Sequence, residues 1–253
     1  MNITSIKTEK IIPNNHLFTI LNNTLPLLTE KSILVITSKI VALCENSIVS
    51  KNSVEKETLI QQQSDYYIPS QQNKYHVTLT IKNNTLIPSA GIDESNANGY
   101  YVLWPKDPQQ TANHIRKHLI SRFKLNHIGV IITDSKTTPL RWGTTGIAIA
   151  HSGFHALNNY IGQPDIFGRT MNMTKANIMD GLAAAAVVVM GEGNEQTPLA
   201  IITEIPFCQF QNRNPTDEEL QQLKINLEDD LYSPLLQTAH WKKREKSSHQ
   251  KDY

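Results

Sequence analysis

Three short segments of the sequence combine oxygen-bearing side chains with flexible backbone, so each of them could carry chemistry. They are Ala90-Gly91-Ile92-Asp93-Glu94-Ser95-Asn96-Ala97, Thr133-Asp134-Ser135 and Met190-Gly191-Glu192-Gly193-Asn194-Glu195-Gln196. Carboxylate, amide and hydroxyl oxygens are hard ligands that suit Mg²⁺ or Mn²⁺ holding the phosphates of a nucleotide. Taken singly, the same segments also fit a turn, a helix cap and an exposed loop. The sequence has no Walker-type glycine loop, which excludes an ordinary P-loop site.

A fourth segment places a cation beside glycines, in Arg141-Trp142-Gly143-Thr144-Thr145-Gly146. Arg141 could bind an anionic substrate or a phosphate through two parallel hydrogen bonds, or it could be a structural surface arginine. Spacing alone does not decide between these alternatives. We interpret His151 as a hydrogen-bonded core histidine rather than a catalytic base, because it follows an apolar run. Cys44 and Cys208 are interpreted as small buried hydrophobic residues rather than nucleophiles.

The elements that would position these segments indicate a mixed α/β fold. Short apolar runs predict strands at 32–37, 128–133 and 199–202, and an alternating pattern predicts another at 76–81. Apolar spacing predicts helices at 17–28 and from 111 onward, and Thr174 could cap an alanine-rich helix that runs to Met190. A polar tract at 50–74 is predicted to be helix and loop. The strand at 128–133 leads directly into Asp134, and α/β proteins commonly place ligand sites at the carboxyl ends of strands.

Composition limits the classes of function. The 253 residues are 39% apolar and 19% charged, which is ordinary for a globular domain. The chain has 24 Lys+Arg and 23 Asp+Glu and a formal net charge of +1, so no strong field predicts a nucleic-acid or membrane partner. The N-terminus lacks the apolar core of a signal peptide and only two cysteines occur, which predicts a cytoplasmic protein. We predict one domain over 1–239 and a basic, solvated tail over 240–253, rather than a phosphate-binding arm.

Taken together, the motifs resemble the coenzyme F-420-0:γ-glutamyl ligase family in order and approximate spacing over nearly the whole chain. Besides the segments around Asp93 and Asp134, the resemblance includes Pro139, Arg141 and Gly143. It continues through Gly162-Gln163-Pro164-Asp165-Ile166-Phe167-Gly168-Arg169, Asp180-Gly181-Leu182-Ala183-Ala184-Ala185-Ala186, Met190-Gly191-Glu192-Gly193 and Pro198. One such motif would be weak, whereas five in series are fairly specific.

The resemblance implies a homodimer with the family's mixed α/β fold, which adds L-glutamate to a substrate carboxylate at the expense of GTP with two Mg²⁺ or Mn²⁺ ions. By position, Asp93 and Asp134 match ligands of one ion, and Ser135 and Glu192 match ligands of the other. Asp93, Asp134 and Arg141 are the implied catalytic residues, with Arg141 and Arg169 as candidates to bind the carboxylates of glutamate. The implied nucleotide contacts are Ile11, Ile12, Pro13, Asn14, Ser38, Lys39, Asn96, Met190, Gly191, Glu192, Gly193, Asn194, Glu195, Gln196 and Thr197.

Two segments depart from the family's pattern. Where the family has Ser-Lys-Ala-Glu-Gly, this chain has Ala42-Leu43-Cys44-Glu45-Asn46, and where it has Gly-Arg-Pro-Trp-Arg, this chain has Thr137-Thr138-Pro139-Leu140-Arg141. Leu43 therefore stands where a nucleotide-contacting lysine is expected, which predicts weaker nucleotide binding unless Lys39 fills that role. The departures leave open ATP in place of GTP, folate or another pterin-like acceptor, and a non-catalytic nucleotide-binding relative. Retention of Asp93, Asp134 and Glu192 argues against the last alternative.

Overall fold

A computed structural model describes residues 1–244 of the chain. The strands are β1 (Asn2–Ile6), β2 (Ser32–Thr37), β3 (Ile48–Ser50), β4 (Tyr66–Ile68), β5 (Leu79–Lys82), β6 (Thr85–Pro88), β7 (Tyr100–Val102), β8 (Ile128–Thr137), β9 (Thr144–Ser152), β10 (Leu157–Asn159), β11 (Lys175–Asn177), β12 (Leu199–Thr203) and β13 (Lys242–Lys243). The helices are α1 (Leu17–Thr24), α2 (Ser38–Cys44), α3 (Lys56–Gln63), α4 (Pro108–Phe123), α5 (Ile178–Met190), α6 (Asp217–Gln221) and α7 (Ser233–Leu236). Strands and helices thus alternate irregularly, which confirms the predicted mixed α/β class.

The central sheet is mixed and has the strand order β1-β12-β2-β8-β9. Strands β2 and β8 are parallel and in register from Ser32 opposite Ile128 to Thr37 opposite Thr133, whereas the other neighbours are antiparallel. Because β2 and β8 run in the same direction, their carboxyl ends meet at one edge of the sheet. This alignment brings the start of α2 beside the segment that follows Thr133.

Helices cover both faces of the central sheet. On one face, α1 and α4 pack over side chains that include Leu34 and Val130, and on the other face α5 packs over Ile33 and Ile131. Successive residues of a strand point to opposite faces, so a strand covered on both sides must be apolar throughout. This requirement explains the uninterrupted apolar runs that predicted β2 and β8.

A second sheet, ordered β13-β4-β5-β6, leads into the segment that carries Asp93. The strand predicted at 76–81 is observed at Leu79–Lys82, because His76 has a left-handed backbone (φ 51°) and cannot continue an extended strand. After β6, the chain passes through a 3-10 turn at Ser89–Gly91. The backbone of Asp93 then pairs with that of Val102 in β7 through two hydrogen bonds of 3.0 and 2.8 Å.

Two helices begin at different residues from those predicted. Helix α4 begins earlier than residue 111, because Asp107 caps it and Pro108 occupies its first turn, where a missing N–H costs nothing. Helix α5 begins at Ile178 and is capped by Asn177, whose side chain accepts a hydrogen bond from the backbone of Asp180. The prediction that Thr174 caps α5 is therefore wrong.

The C-terminal segment predicted as a solvated tail begins within the fold. Lys242–Lys243 forms β13 and pairs with Tyr66 and Tyr67 of β4, and the Arg244 guanidinium donates to the Gln62 carbonyl at 3.1 Å. Lysines are common on such edge strands because they discourage further pairing, so a basic composition does not exclude a strand. The remainder of the predicted tail, 245–253, lies outside the described residues. Within residues 1–244, no helix is both long and apolar enough to cross a membrane.

Candidate functional site

A cavity of about 650 Å³ lies at the carboxyl ends of β2 and β8. Its walls come from the N-terminal segment before α1, from α2, from the Asp93 segment, from β8 and from the loop after α5. Many of the residues predicted from the sequence line it, namely Ile11, Ser38, Lys39, Asp93, Asn96, Asp134, Ser135 and all of 190–197. Segments far apart in the sequence therefore meet around one volume.

Asp93 lies in the cavity wall against an ammonium group. Its Oδ2 is 2.6 Å from Nζ of Lys39, which also donates to the carbonyl and to Oγ of Ser95, both at 3.1 Å. Burial by itself would raise the pKa of Asp93, but the hydrogen bond and positive charge of Lys39, together with two hydrogen bonds from Ser95, outweigh it and lower the pKa. The oxygens of Asp93 and Ser95 thus define a point where a cation is favoured.

The neighbouring carboxylate, Glu94, is engaged elsewhere. Its oxygens lie 2.9 Å from Nζ of Lys51 and 2.7 Å from Nζ of Lys56, and these two lysines lower the pKa of Glu94 to about 2. Glu94 does not line the cavity. Of the two adjacent acidic residues, only Asp93 is therefore available to a ligand there.

Asp134 accepts hydrogen bonds on both carboxylate oxygens. Oδ1 accepts from the backbone N–H of Ser135 at 2.8 Å, and Oδ2 accepts from the indole N–H of Trp104. Burial raises the pKa of Asp134 to about 6, and the negative charge of Asp93 adds to this, while the two donors and Lys39 act in the opposite direction. Asp93 and Asp134 are thus close enough to interact electrostatically.

Asp134 and Ser135 lie inside a strand, and the alternative that they cap a helix is wrong. Strand β8 continues past a bulge at Ile132/Thr133 to Thr137, because its polar end pairs with β9. A bulge redirects the side chains that follow it, and it is common beside binding sites. Strand β9 itself was not predicted, since its first residues, Thr144-Thr145-Gly146, are not typical of a buried strand and only a short apolar run follows them.

Ser135 and Glu192, which both line the cavity, are in direct contact. The Ser135 hydroxyl donates to Oε1 of Glu192 at 2.6 Å, and Oγ1 of Thr144 on β9 lies 3.4 Å from the same oxygen. Glu192 is exposed, so its carboxylate remains accessible to a ligand. These oxygens form a second group of hard ligands beside the one formed by Asp93 and Asp134.

The loop after α5 is held in place by polar contacts. Gly191 ends the helix with φ 79°, and the backbone N–H of Gly193 donates to Oε2 of Glu195 at 2.8 Å. The side-chain amide of Asn96 donates to the carbonyl of Gly193 at 3.0 Å. At the far end of the loop, the backbone N–H of Thr8 donates to the carbonyl of Gln196 at 2.9 Å. The loop therefore connects the Asp93 segment to the N-terminal segment.

Several predicted site residues do not line the cavity. Ile12, Pro13 and Asn14 lie outside its lining, although Ile11 contributes to it. Arg141 is exposed in the turn between β8 and β9, and Arg169 is exposed in the segment between β10 and β11. Their roles in binding nucleotide or glutamate remain predictions.

Two residues in or beside the cavity, Lys136 and Trp104, were missed from the sequence. Lys136 lines the cavity, and its position directly after Asp134 and Ser135 could have indicated this. Trp104 reaches Asp134 from behind the cavity wall, and no local motif marked it. Leu43, by contrast, was singled out from the sequence at the position of an expected lysine. It is 4% exposed and belongs to a small apolar cluster, and it also forms part of the cavity wall one helical turn after Lys39.

The remaining titratable candidates lie away from these groups. His151 is buried, as predicted, but among the described residues its Nδ1 has no hydrogen-bond partner, and burial lowers its pKa to about 4. Burial raises the pKa of Cys44 to about 11 and that of Cys208 to about 12, so both thiols stay protonated near neutral pH. This agrees with the interpretation that neither cysteine is a nucleophile, although both side chains are only partly buried.

Within residues 1–244, no group of three or more His, Cys, Asp and Glu side chains is arranged to hold a metal ion. The predicted ligands form two smaller groups instead, one with Asp93 and Asp134 and one with Ser135 and Glu192. A divalent cation at either position would need further oxygens from a bound ligand or from water.

Comparison with known proteins gives a consistent result. The model of the family described as F420-0:Gamma-glutamyl ligase matches residues 5–204. The coenzyme F420:L-glutamate ligase of Methanococcus maripaludis strain C7 is 34% identical over 196 residues, which cover 71% of this chain and 78% of that protein. The protein of the same name from the strain S2 of that species is 33% identical over 224 residues, covering 81% and 86% of the two chains. That of Methanocaldococcus jannaschii is 38% identical over 152 residues, covering 58% and 61%. The chain therefore belongs to the F420-0:Gamma-glutamyl ligase family.

Proposed function

We propose that this chain joins the amine of L-glutamate to a carboxylate of coenzyme F420-0 through an amide bond, using GTP and two divalent cations, Mg²⁺ or Mn²⁺. The observation that carries the proposal is the single cavity that gathers Asp93, Asp134, Ser135 and Glu192 beside the ammonium of Lys39. Family membership supports the acceptor, because the relatives bear the name coenzyme F420:L-glutamate ligase.

The donor atoms of the cavity fit a divalent cation. Mg²⁺ is usually held by one or two carboxylates together with water and substrate phosphates, so two groups with few protein ligands agree with a nucleotide-bound ion. The Lys39 ammonium, 2.6 Å from Asp93, is a stand-in cation at one of these groups. When bound, the ions would neutralise charge on the nucleotide phosphates and on the transferred phosphoryl group.

The chemistry needs an activated carboxylate, because an amine does not displace oxide from a carboxylate directly. In the proposed reaction, the acceptor carboxylate takes the γ-phosphoryl group of the nucleotide, which gives an acyl phosphate and the nucleoside diphosphate. The amine of glutamate then attacks the acyl carbon, loses a proton and releases phosphate, which leaves the amide. Lys39 and Lys136 both line the cavity and are suited to bind the phosphates, while the loop at 190–197 would enclose the nucleotide.

A homodimer is part of the proposal. The turns that carry Arg141 and Arg169 also carry large apolar side chains that are almost fully exposed, namely Leu140, Trp142, Ile166 and Phe167. Exposed apolar groups of this kind commonly mark an interface, and a second copy would bring both arginines into a contact region. Light scattering at micromolar concentration should give the mass of two chains, and the mass of one chain would contradict the proposed dimer.

The proposed reaction can be tested directly with purified protein. The protein is incubated with F420-0, L-glutamate, Mg²⁺ or Mn²⁺, and either GTP or ATP, and the product is followed by its gain of one glutamyl group. A folate acceptor run in parallel tests the pterin alternative. Product from folate but not F420-0 would overturn the proposed acceptor, and nucleotide binding without any product would favour a non-catalytic relative.

The substitution Asp134→Asn tests the site within the same assay. The amide keeps the size of the side chain but removes the charge that would hold a divalent ion. We expect turnover to fall about a hundredfold or more, since several kcal/mol of transition-state stabilisation are lost. Asp217→Asn, on the exposed helix α6, is the matched control and should leave turnover unchanged. Near-normal turnover of Asp134→Asn at saturating metal would show that Asp134 is structural.

A further inference from the structure

Trp104 touches the candidate site although it does not line the cavity. Its indole N–H donates to Oδ2 of Asp134, the oxygen that the backbone of Ser135 leaves free. An indole is only a donor, so this contact favours an ionised carboxylate with that oxygen turned toward the ring. With both oxygens engaged, the carboxylate of Asp134 is held in one orientation in the cavity wall, and each oxygen keeps a lone pair for a ligand.

The indole has neighbours at its face and at its edge, and the backbone that carries it is also held. Its face lies under the ammonium of Lys82, 5.2 Å from the ring centroid, and Lys82 is almost fully buried. The carbonyl of Trp104 accepts from the hydroxyl of Ser47 at 2.8 Å. Gly91 supplies the space for the ring edge, because a methyl group at that position would lie 2.7 Å from Cε2 of the indole. Trp104 is 5% exposed, so little solvent competes with Asp134 for the indole N–H.

We infer that Trp104 is a positioning residue that fixes the carboxylate of Asp134 for binding a divalent cation, an inference that rests on the proposed function. Partners that orient a metal ligand typically change metal affinity about ten- to a hundredfold when they are removed. The segment carrying Trp104 is outside every motif of the family resemblance, and the residue acts through Asp134 rather than on the substrate.

The test measures Mn²⁺ affinity by electron paramagnetic resonance, with and without bound nucleotide. Trp104→Phe keeps an aromatic ring but removes the N–H, and its affinity should fall about ten- to a hundredfold. Raising the Mn²⁺ concentration should restore turnover, which a merely structural defect would not allow. The matched control is Trp241→Phe, which removes an indole N–H bonded at 2.7 Å to the carbonyl of Leu236, and it should leave Mn²⁺ binding unchanged.

A second variant covers the case in which Trp104→Phe does not fold. Site-specific replacement of Trp104 by 3-benzothienylalanine keeps the shape of the ring and exchanges N–H for sulfur, and it should weaken Mn²⁺ binding to a similar extent. Affinity equal to that of the Trp241→Phe control in either variant would overturn the inference. If Asp134→Asn abolishes Mn²⁺ binding while the Trp104 variants bind Mn²⁺ as the control does, the inference about Trp104 fails but the proposed metal site stands. If Asp134→Asn also binds Mn²⁺ normally, the proposed metal site fails with it.

Discussion

Lys39 lies where it could contact both the metal site and the nucleotide phosphates of the proposed reaction. The substitution Lys39→Gln should change the affinities for metal and for nucleotide in opposite directions. In the structure its ammonium binds Asp93 and Ser95, in the place proposed for a divalent cation. Once a cation occupies that place, the ammonium would be free to bind a nucleotide phosphate. We therefore expect Lys39→Gln to strengthen metal binding in the absence of nucleotide and to weaken nucleotide binding in the presence of metal.

The sizes of the two expected affinity changes follow from the exposure of Lys39 and Asp93 and from the charge of Lys39. The Asp93 side chain is 43% exposed and that of Lys39 is 26% exposed, so solvent screens their ion pair and its net contribution is about 1 kcal/mol. Removal of this competitor should raise metal affinity roughly fivefold. A hydrogen bond from an ammonium to a phosphate contributes about 1.5–3 kcal/mol, so nucleotide affinity should fall about ten- to a hundredfold.

Calorimetry can measure both affinities, with Mn²⁺ titrated into nucleotide-free protein and a non-hydrolysable GTP analogue titrated into metal-saturated protein. The control is Lys51→Gln, which removes a nearby positive charge that binds Glu94 outside the cavity lining. It should change neither affinity by more than about twofold, because exposed ion pairs contribute little. Two affinities that move in the same direction in Lys39→Gln would refute the placement of Lys39 between metal and phosphate.

Two further predictions follow from buried residues. When Leu43→Lys is added to Lys39→Gln, it should recover at least tenfold of the lost nucleotide affinity, because residues four apart on a helix share a face and a long side chain can extend its ammonium into the cavity. Leu43→Met in the same background is the control. If calorimetry shows no recovery, residue 43 is out of reach of the phosphates. His151 has a pKa lowered by burial to about 4, against 6.5 when unfolded, so its contribution to stability is complete above pH 6.5 and is lost as the pH falls toward 4. Between pH 7 and pH 5, protonation of His151 in the unfolded state should lower the free energy of unfolding by about 2 kcal/mol. Chemical denaturation should show this loss in the wild type and in the exposed control His114→Gln, but not in His151→Gln. The same pH dependence in all three proteins would refute the assignment of the loss to His151.

The inner strands of the central sheet, β12, β2 and β8, could be predicted because helices cover both of their faces. A strand such as Ile128–Thr137 must be apolar where helices cover it. The apolar run at 128–133 meets this requirement and could therefore be read from the sequence. The polar end of the same strand could not be predicted, because its stability comes from pairing with β9 and not from its own residues. For the same reason, β13 was predicted as a tail, since its lysines gain strand geometry only from β4.

The acidic residues of the site could be predicted for a different reason. Asp134 follows an apolar run, Glu192 lies between two glycines and Asp93 lies two residues after Gly91, so each is close to a local break in structure. The partners that fix them are distant in sequence and carry no local signal. Trp104 meets Asp134 across 30 positions, and Ser135 meets Glu192 across 57 positions. Such contacts depend on the register of the sheets, which the sequence specifies only through the whole fold.

The locations of the two departures from the family's pattern bear on whether the site is intact. The first, at Ala42-Leu43-Cys44-Glu45-Asn46, lies mainly in the core, where Leu43 packs with Ala97 and Val102. The second, at Thr137-Thr138-Pro139-Leu140-Arg141, begins with the last residue of β8 and continues into the exposed turn that follows. Of these residues only Thr137 lines the cavity. Neither departure displaces Asp93, Asp134, Ser135 or Glu192, because those side chains are positioned by β7, β8 and the loop after α5. The chain could therefore diverge in how it binds its nucleotide and its acceptor while keeping the oxygen groups on which the proposed phosphoryl transfer depends.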